Sequence, residues 1–84
     1  MTEYKLKKPI LFAEEEIKII NLKKPFAGQF RKVLNEEKKG DMLFKLLEVS
    51  IDKNPSILNK MDLDDFFELQ GVAETFLPAK FQKV

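Results

Sequence analysis

The side chains that could do chemistry in this chain are carboxylates, lysines, one arginine and a few hydroxyls, because its 84 residues include no histidine and no cysteine. Nucleophile–base pairs built on histidine or cysteine, thiolate metal sites and the usual zinc ligand sets are therefore excluded. The two serines, Ser50 and Ser56, have no base that the sequence places beside them. We predict that the protein is not an enzyme and needs no cofactor.

Carboxylates are dense at one place, which contains Asp62, Asp64, Asp65 and Glu68. Such oxygens could bind a hard cation, but the run lacks the central glycine and the twelve-residue ligand spacing of a calcium loop. Helix capping and a solvated face are favoured, with Asp62 and Asp65 spaced as in a capping box. The acidic run 14–16 is interpreted as a charged turn that protects a strand edge. No metal site is expected.

The composition is that of a folded, soluble protein, with 44% hydrophobic and 35% charged residues. Lysine plus arginine total 15 against 14 acidic residues, so the net charge of +1 gives no electrostatic reason to bind nucleic acid or an anionic membrane. No run approaches the length of a membrane span, and the absence of cysteine fits a cytosolic setting. The length predicts a single domain over residues 1–84.

The N-terminal quarter of the chain has the pattern of two strands. Tyr4, Leu6, Ile10 and Phe12 alternate with polar residues, as expected for a half-buried strand, and Pro9 indicates that this strand is an edge. After the acidic turn, the run 17–22 is rich in β-branched residues. An antiparallel hairpin over about residues 4–22 is therefore predicted.

The rest of the chain has helical periodicity, beginning with Phe26, Phe30, Val33 and Leu34. Gly40 is interpreted as the stop of this first helix and Asp41 as the N-cap of the next. The segment 42–51 is apolar nearly all round, which favours a buried helix over the competing buried strand. Asn54-Pro55 begins a short turn, and the segment 65–77 is a last amphipathic helix ended by Pro78. The predicted fold class is α+β, a hairpin followed by about three packed helices over residues 26–77, with a frayed tail at 78–84.

The junction between hairpin and helices is the run 22–31, LKKPFAGQFR. Pro25 cannot donate a ladder hydrogen bond and has the backbone angle of a helix start, which predicts a strand-to-helix corner. Gly28 in the first helical turn costs helix propensity, which suggests that another backbone approaches it closely. Arg31, the only arginine, could bind a carboxylate or carbonyl across this corner or could contact a partner; the structural role is favoured.

Eight phenylalanines in 84 residues could line a groove for an amphipathic partner helix, although core packing is the simpler role for any one of them. Phe66 and Phe67 point about 100° apart on a helix, so both are buried only if neighbours cover a wide arc. Phe81 lies in the tail beyond the last proline. We take Phe66, Phe67 and Phe81 as the candidate partner-binding residues.

The run 22–31 resembles the Leu-basic-x-Pro-x-x-Gly-polar-apolar-Arg signature of the small tail assembly chaperones of contractile-tailed bacteriophages and related prophages. The matching positions are Leu22, Pro25, Gly28 and Arg31, and Gln29 departs from the acidic residue expected there. Members also have an Asp followed by spaced apolar residues near the C-terminus, which Asp65, Phe66, Leu69, Val72, Phe76 and Leu77 match. The resemblance covers about residues 4–77.

This resemblance implies a protein-binding function in the host bacterial cytoplasm. Chaperones of this kind associate with the long, mostly helical tape measure protein until the tail tube polymerises around it, and they are not expected in the mature virion. In the family, a programmed frameshift often yields a longer product that shares the N-terminal part. The resemblance therefore predicts the tape measure protein, and such a longer form, as partners.

A different class of function is a small regulatory or nucleic-acid-binding protein with a helix-turn-helix in residues 26–51. It would need a basic recognition face. Between residues 41 and 51 the only base is Lys45, which stands against Asp41 and Glu48. The sequence therefore favours the chaperone over this alternative.

Overall fold

The computed structural model describes residues 2–78 and consists of a hairpin followed by helices. The order is β1 (Thr2–Phe12), β2 (Glu15–Leu22), α1 (Ala27–Leu34), α2 (Lys39–Ser50), a 3₁₀ helix (Pro55–Lys60) and α3 (Leu63–Glu74). β1 and β2 are antiparallel, so the α+β class and the N-terminal hairpin are confirmed. Apart from Pro78, the predicted tail lies outside the described residues.

The hairpin contains a large bulge in β1. Pairing runs in one register up to Lys5 opposite Ile19 and resumes in another with Ile10 opposite Ile17. The four residues 6–9 therefore lie opposite a single residue of β2. A bulge bends and twists its strand and leaves backbone groups without ladder partners, and it tolerates the proline that this segment contains.

A two-residue turn connects the strands. Ala13 and Glu14 both have positive φ, 51° and 65°, which is the backbone shape that suits the right-handed twist of a hairpin. Neither residue type favours this region, because the left-handed conformation brings Cβ close to the following carbonyl oxygen. The turn is shorter than the acidic turn expected from the sequence, since Glu15 and Glu16 belong to β2.

The hydrophobic core lies between the hairpin and the helices and draws on both strands, all three α-helices and the 3₁₀ helix. The segment 42–51 is helical up to Ser50, and Ile51 then pairs with Leu22 at the end of β2. The buried apolar residues are Leu6, Ile10, Ile17, Ile20, Leu22, Val33, Leu46, Leu47, Ile51, Ile57, Leu58, Phe66, Leu69 and Ala73.

Two glycines do not have the structural roles that were predicted from the sequence. α1 ends at Leu34, directly after the buried Val33, so Gly40 is not its stop and lies instead in the first turn of α2. Lys38 rather than Asp41 occupies the N-cap position of α2. A Cβ at Gly28 would have no atom within 4 Å, so the expected close approach of another backbone is wrong.

Candidate functional site

The strand-to-helix corner is built by residues 22–27. Leu22 is fully buried, and the Lys23 amide donates to the Ser50 carbonyl at 2.8 Å, which joins the end of β2 to the end of α2. α1 begins one residue after Phe26, whose N–H is accepted by the Gln29 side chain at 2.9 Å. This bond is the reciprocal half of a capping box. The neutral side-chain amide of Gln29 accepts the N–H of the N-cap residue, as a glutamate carboxylate at this position also could.

Arg31 does not form the predicted clamp. Its side chain is exposed and has no ion pair or hydrogen bond with any residue of the described segment 2–78. The reason is its position on the outer side of α1, whose inner side is occupied by Val33. A contact of Arg31 with a partner stays a prediction.

Asp65 joins the start of α3 to β1, a role that the sequence did not reveal. Its carboxylate is fully buried and accepts the backbone N–H groups of Lys7 and Lys8, both at 3.0 Å, and the hydroxyl of Tyr4 at 2.9 Å. Lys7 and Lys8 belong to the bulge of β1, so the carboxylate replaces the ladder partners that the bulge removes.

The predicted capping box is wrong: Asp62 caps α3 by accepting the Asp64 amide at 3.1 Å.

We refer to the hydrogen bonds of Asp65 with Tyr4, Lys7 and Lys8 as the Asp65 lock. Its electrostatics favour the ionised form of Asp65. Burial alone would raise the pKa of the carboxyl, but the hydrogen bonds from the Lys7 and Lys8 amides and the Tyr4 hydroxyl, with the charge of Lys7, outweigh it and lower the pKa. Burial also raises the pKa of the Tyr4 phenol, and its hydrogen bond to Asp65 and the charges of Asp65 and Glu68 raise it further. The hydrogen bond from the Lys7 ammonium to Glu68 raises the pKa of Lys7.

Beside this lock, α3 exposes large apolar side chains. Phe67 is 54% exposed and Leu63, one turn earlier, is 67% exposed. Phe44 of α2 is 37% exposed and packs against Phe66 with tilted rings whose centroids are 4.6 Å apart, while Phe66 meets Phe67 edge-on at 5.6 Å. We refer to Phe44, Leu63 and Phe67 as the α3 patch.

The predicted partner-binding residues therefore have different outcomes. Phe66 is only 6% exposed, because α2 covers its side of α3, so its assignment as a surface contact is corrected to a core residue that supports the patch. Phe67 lies on the open side and stays a candidate. Phe81 lies outside the described residues. Leu63 and Phe44 were missed, although the spacing of Leu63 four residues before Phe67 could have suggested that the two share a face.

A second apolar surface lies at the other end of the helical part. It is a shallow groove of about 250 Å³ between the corner and the end of α3. Pro25 thus contributes to a surface as well as to the turn of the chain. The lining residues are Lys24, Pro25, Ala27, Phe30, Phe76, Leu77 and Pro78.

The acidic cluster does not assemble a cation site. Asp65 faces β1 and Asp62 pairs with Lys8 at 3.2 Å, while Glu68 pairs with Lys7 at 2.7 Å. Across residues 2–78 no group of three or more acidic side chains is arranged to hold a metal ion. None of the helices in this part of the chain is both long and apolar enough to cross a membrane.

Comparison with known families matches nearly the whole of this architecture. The family model described as "Phage tail assembly chaperone proteins, E, or 41 or 14" matches residues 3–78, which include all of β1 except Thr2, the whole of β2 and every helix of the described residues. The chain belongs to this family. The phage tail assembly chaperone resemblance seen in residues 22–31 and 65–77 is therefore confirmed. Comparisons with curated proteins and with solved structures found no match.

Proposed function

We propose that this phage tail assembly chaperone binds helical segments of the tape measure protein through the α3 patch and keeps that protein soluble during tail morphogenesis. The observation that carries the proposal is the exposure of Phe67 and Leu63 one turn apart on a helix that Asp65 fixes to the hairpin. The role is one of binding rather than catalysis. It is exercised in the host bacterial cytoplasm, and the chaperone leaves before the virion is mature.

The patch has the properties that an amphipathic partner helix requires. Side chains at i and i+4 fit the spacing of apolar anchors on a facing helix, and an aromatic ring offers a large contact area. Phe66 is buried beneath Phe67 and in contact with Phe44, so the exposed rings rest on a rigid base. Exposed lysines and carboxylates elsewhere on the surface keep the complex in solution.

The test is co-expression of this chain with the tape measure protein of the same tail-gene cluster, scoring how much tape measure protein is soluble and co-purifies. Soluble complex is expected with the wild type. Phe67→Ser with Leu63→Ser should remove most of it, because truncation of a central anchor costs at least about 2 kcal/mol, or roughly 30-fold in affinity.

The matched control is Leu11→Ser, which removes an apolar side chain that is 68% exposed on β1 and outside the patch. All variants are first checked for unchanged far-ultraviolet circular dichroism. Equal solubilisation by the patch variant and the wild type would contradict the proposed site. An insoluble tape measure protein beside a folded wild-type chaperone would contradict the function itself.

The helix-turn-helix alternative has no observation in its favour. α1 and α2 do follow each other, but Lys45 of α2 pairs with Glu48 at 3.3 Å and with Glu36 at 3.9 Å and so presents no unbalanced charge. Binding to duplex DNA that weakens steeply with salt would revive this alternative.

A longer form made by frameshifting is proposed as a second partner, or competitor, for the same client. Any such product that shares residues 2–78 contains the complete Asp65 lock and the α3 patch. Expression of the gene with its intact downstream reading frame should give a larger product that reacts with an antibody against the hairpin. Detection of only the 84-residue chain would contradict this proposal.

A further inference from the structure

The ionisable side chains of α3 itself are of one sign. Between residues 61 and 78 every ionisable side chain is acidic. Asp62 and Glu68 are neutralised by lysines of β1, and Asp65 is buried in the lock. Asp64 and Glu74 are the remaining two, and neither forms an ion pair with any other residue of the described segment.

These two acids lie along the patch. Asp64 is three residues before Phe67 and Glu74 seven residues after it, so both lie on the side of α3 that carries the ring. Ten residues of α-helix separate them, which is a rise of about 15 Å. A helix lying on Phe67 therefore meets a carboxylate at each end of the contact.

Gly71 lies on the same line, one turn after Phe67. It is exposed in the interior of α3, and a Cβ built on it would have no atom within 4 Å. A glycine there weakens the helix by about 1 kcal/mol relative to alanine, and no close contact among residues 2–78 requires it. Bare backbone beside an exposed aromatic ring is what allows a second helix to approach closely.

We propose that the α3 patch selects basic amphipathic helices, which lay their apolar side on Leu63 and Phe67, cross α3 closely at Gly71, and place lysine or arginine opposite Asp64 and Glu74. The inference rests on the proposed function, since it specifies the client segment for the same surface. Complementary charges at the rim of an interface increase the selectivity and the association rate more than they increase the affinity. The client segment thus has basic residues about ten positions apart on the flank of its apolar stripe.

The test uses two synthetic helical peptides with an identical leucine stripe, one flanked by lysines and the other by glutamates. Binding of each to the full chain is measured by fluorescence anisotropy at low and high salt. The lysine peptide should bind about tenfold more tightly at low salt, and salt should reduce this preference because Asp64 is exposed and Glu74 is only partly buried. Asp64→Asn with Glu74→Gln should reduce the preference roughly fivefold.

The control for charge is Glu14→Gln with Glu15→Gln, which removes two carboxylates at the hairpin tip and should leave the preference unchanged. Gly71→Ala separates close approach from charge: it should raise the unfolding temperature, because alanine favours the helix, yet weaken both peptides about tenfold by forcing the helices apart. Unchanged affinity in Gly71→Ala would overturn the close crossing.

The outcomes distinguish this inference from the proposed function. If both peptides bind equally and Phe67→Ser abolishes both, the patch is a binding site but the selection for basic helices is wrong. If Phe67→Ser changes neither affinity, the site itself is wrong and the inference fails with it. Failure of both peptides to bind also overturns the inference.

Discussion

Replacement of Asp65 by asparagine tests the lock between the hairpin and α3. The side chain keeps its shape, but one oxygen becomes an NH₂ group, which cannot accept from the Lys8 amide. That amide, 3.0 Å from the lost oxygen, becomes a part-buried donor without its partner, which costs about 1–3 kcal/mol. The bonds from Tyr4 and Lys7 survive on the other oxygen but lose their charge assistance, about 1 kcal/mol each.

Burying a neutral amide is easier than burying a carboxylate, and this offsets part of the loss. We therefore expect Asp65→Asn to lower the free energy of unfolding by about 2–3 kcal/mol. A chain of 84 residues has roughly 4–13 kcal/mol in total, so the variant should still fold and be measurable by urea denaturation followed by circular dichroism. Asp64→Asn, on the exposed neighbour, should cost less than about 1 kcal/mol.

The pH dependence gives this prediction a second readout. The pKa of Asp65 is lowered in the folded state, so its stabilisation is complete above the ordinary value of 3.8 and is lost as the pH falls through the folded pKa. Asparagine does not titrate, so the variant should lose less stability on acidification than the wild type. A loss below about 0.5 kcal/mol for Asp65→Asn, or the same acid dependence in both proteins, would refute the lock.

The remaining predictions use other parts of the same structure. Tyr4 is the only tyrosine, and its raised pKa predicts that the folded protein shows less than half of the full near-ultraviolet absorbance of tyrosinate at pH 10.0, the ordinary pKa of the phenol. Half or more would contradict the raised pKa, and stability should decline above that pH. Ala13→Asn with Glu14→Gly should raise the free energy of unfolding by about 1–2 kcal/mol in urea denaturation, since both residues have positive φ; no gain would mean that the turn is not strained. Phe66→Ala should cost about 3–5 kcal/mol in the same assay and Phe67→Ala less than about 1, and equal costs would contradict their assignment to core and surface.

The elements that could be predicted from sequence are those specified by local patterns. The alternation of Tyr4, Leu6, Ile10 and Phe12 identified β1, and the apolar segment 42–51 identified α2, because burial of one face imposes a period on the chain. Helix limits were less accurate. Gly40 looked like a stop, but the last residue of α1 that the core needs is Val33, and the helix ends just after it.

The lock and the patch depend on contacts between distant parts of the chain. Asp65 at a helix start has an ordinary local explanation, and no local pattern shows that its partners are 57 to 61 residues away. The choice between Phe66 and Phe67 likewise depends on where α2 places Phe44. Periodicity predicts that adjacent phenylalanines point in different directions, but tertiary packing decides which one is covered.

The distance along the chain between Asp65 and the bulge also constrains how the protein is made. A two-stranded hairpin is marginal in water by itself; residues 50–52 hold the end of β2, but the carboxylate that binds the bulge of β1 lies on the last helix of the described chain. During synthesis β1 and β2 leave the ribosome first but acquire their lock only when α3 follows. A chain interrupted before Asp65 would therefore leave the Lys7 and Lys8 amides at the bulge without their carboxylate acceptor.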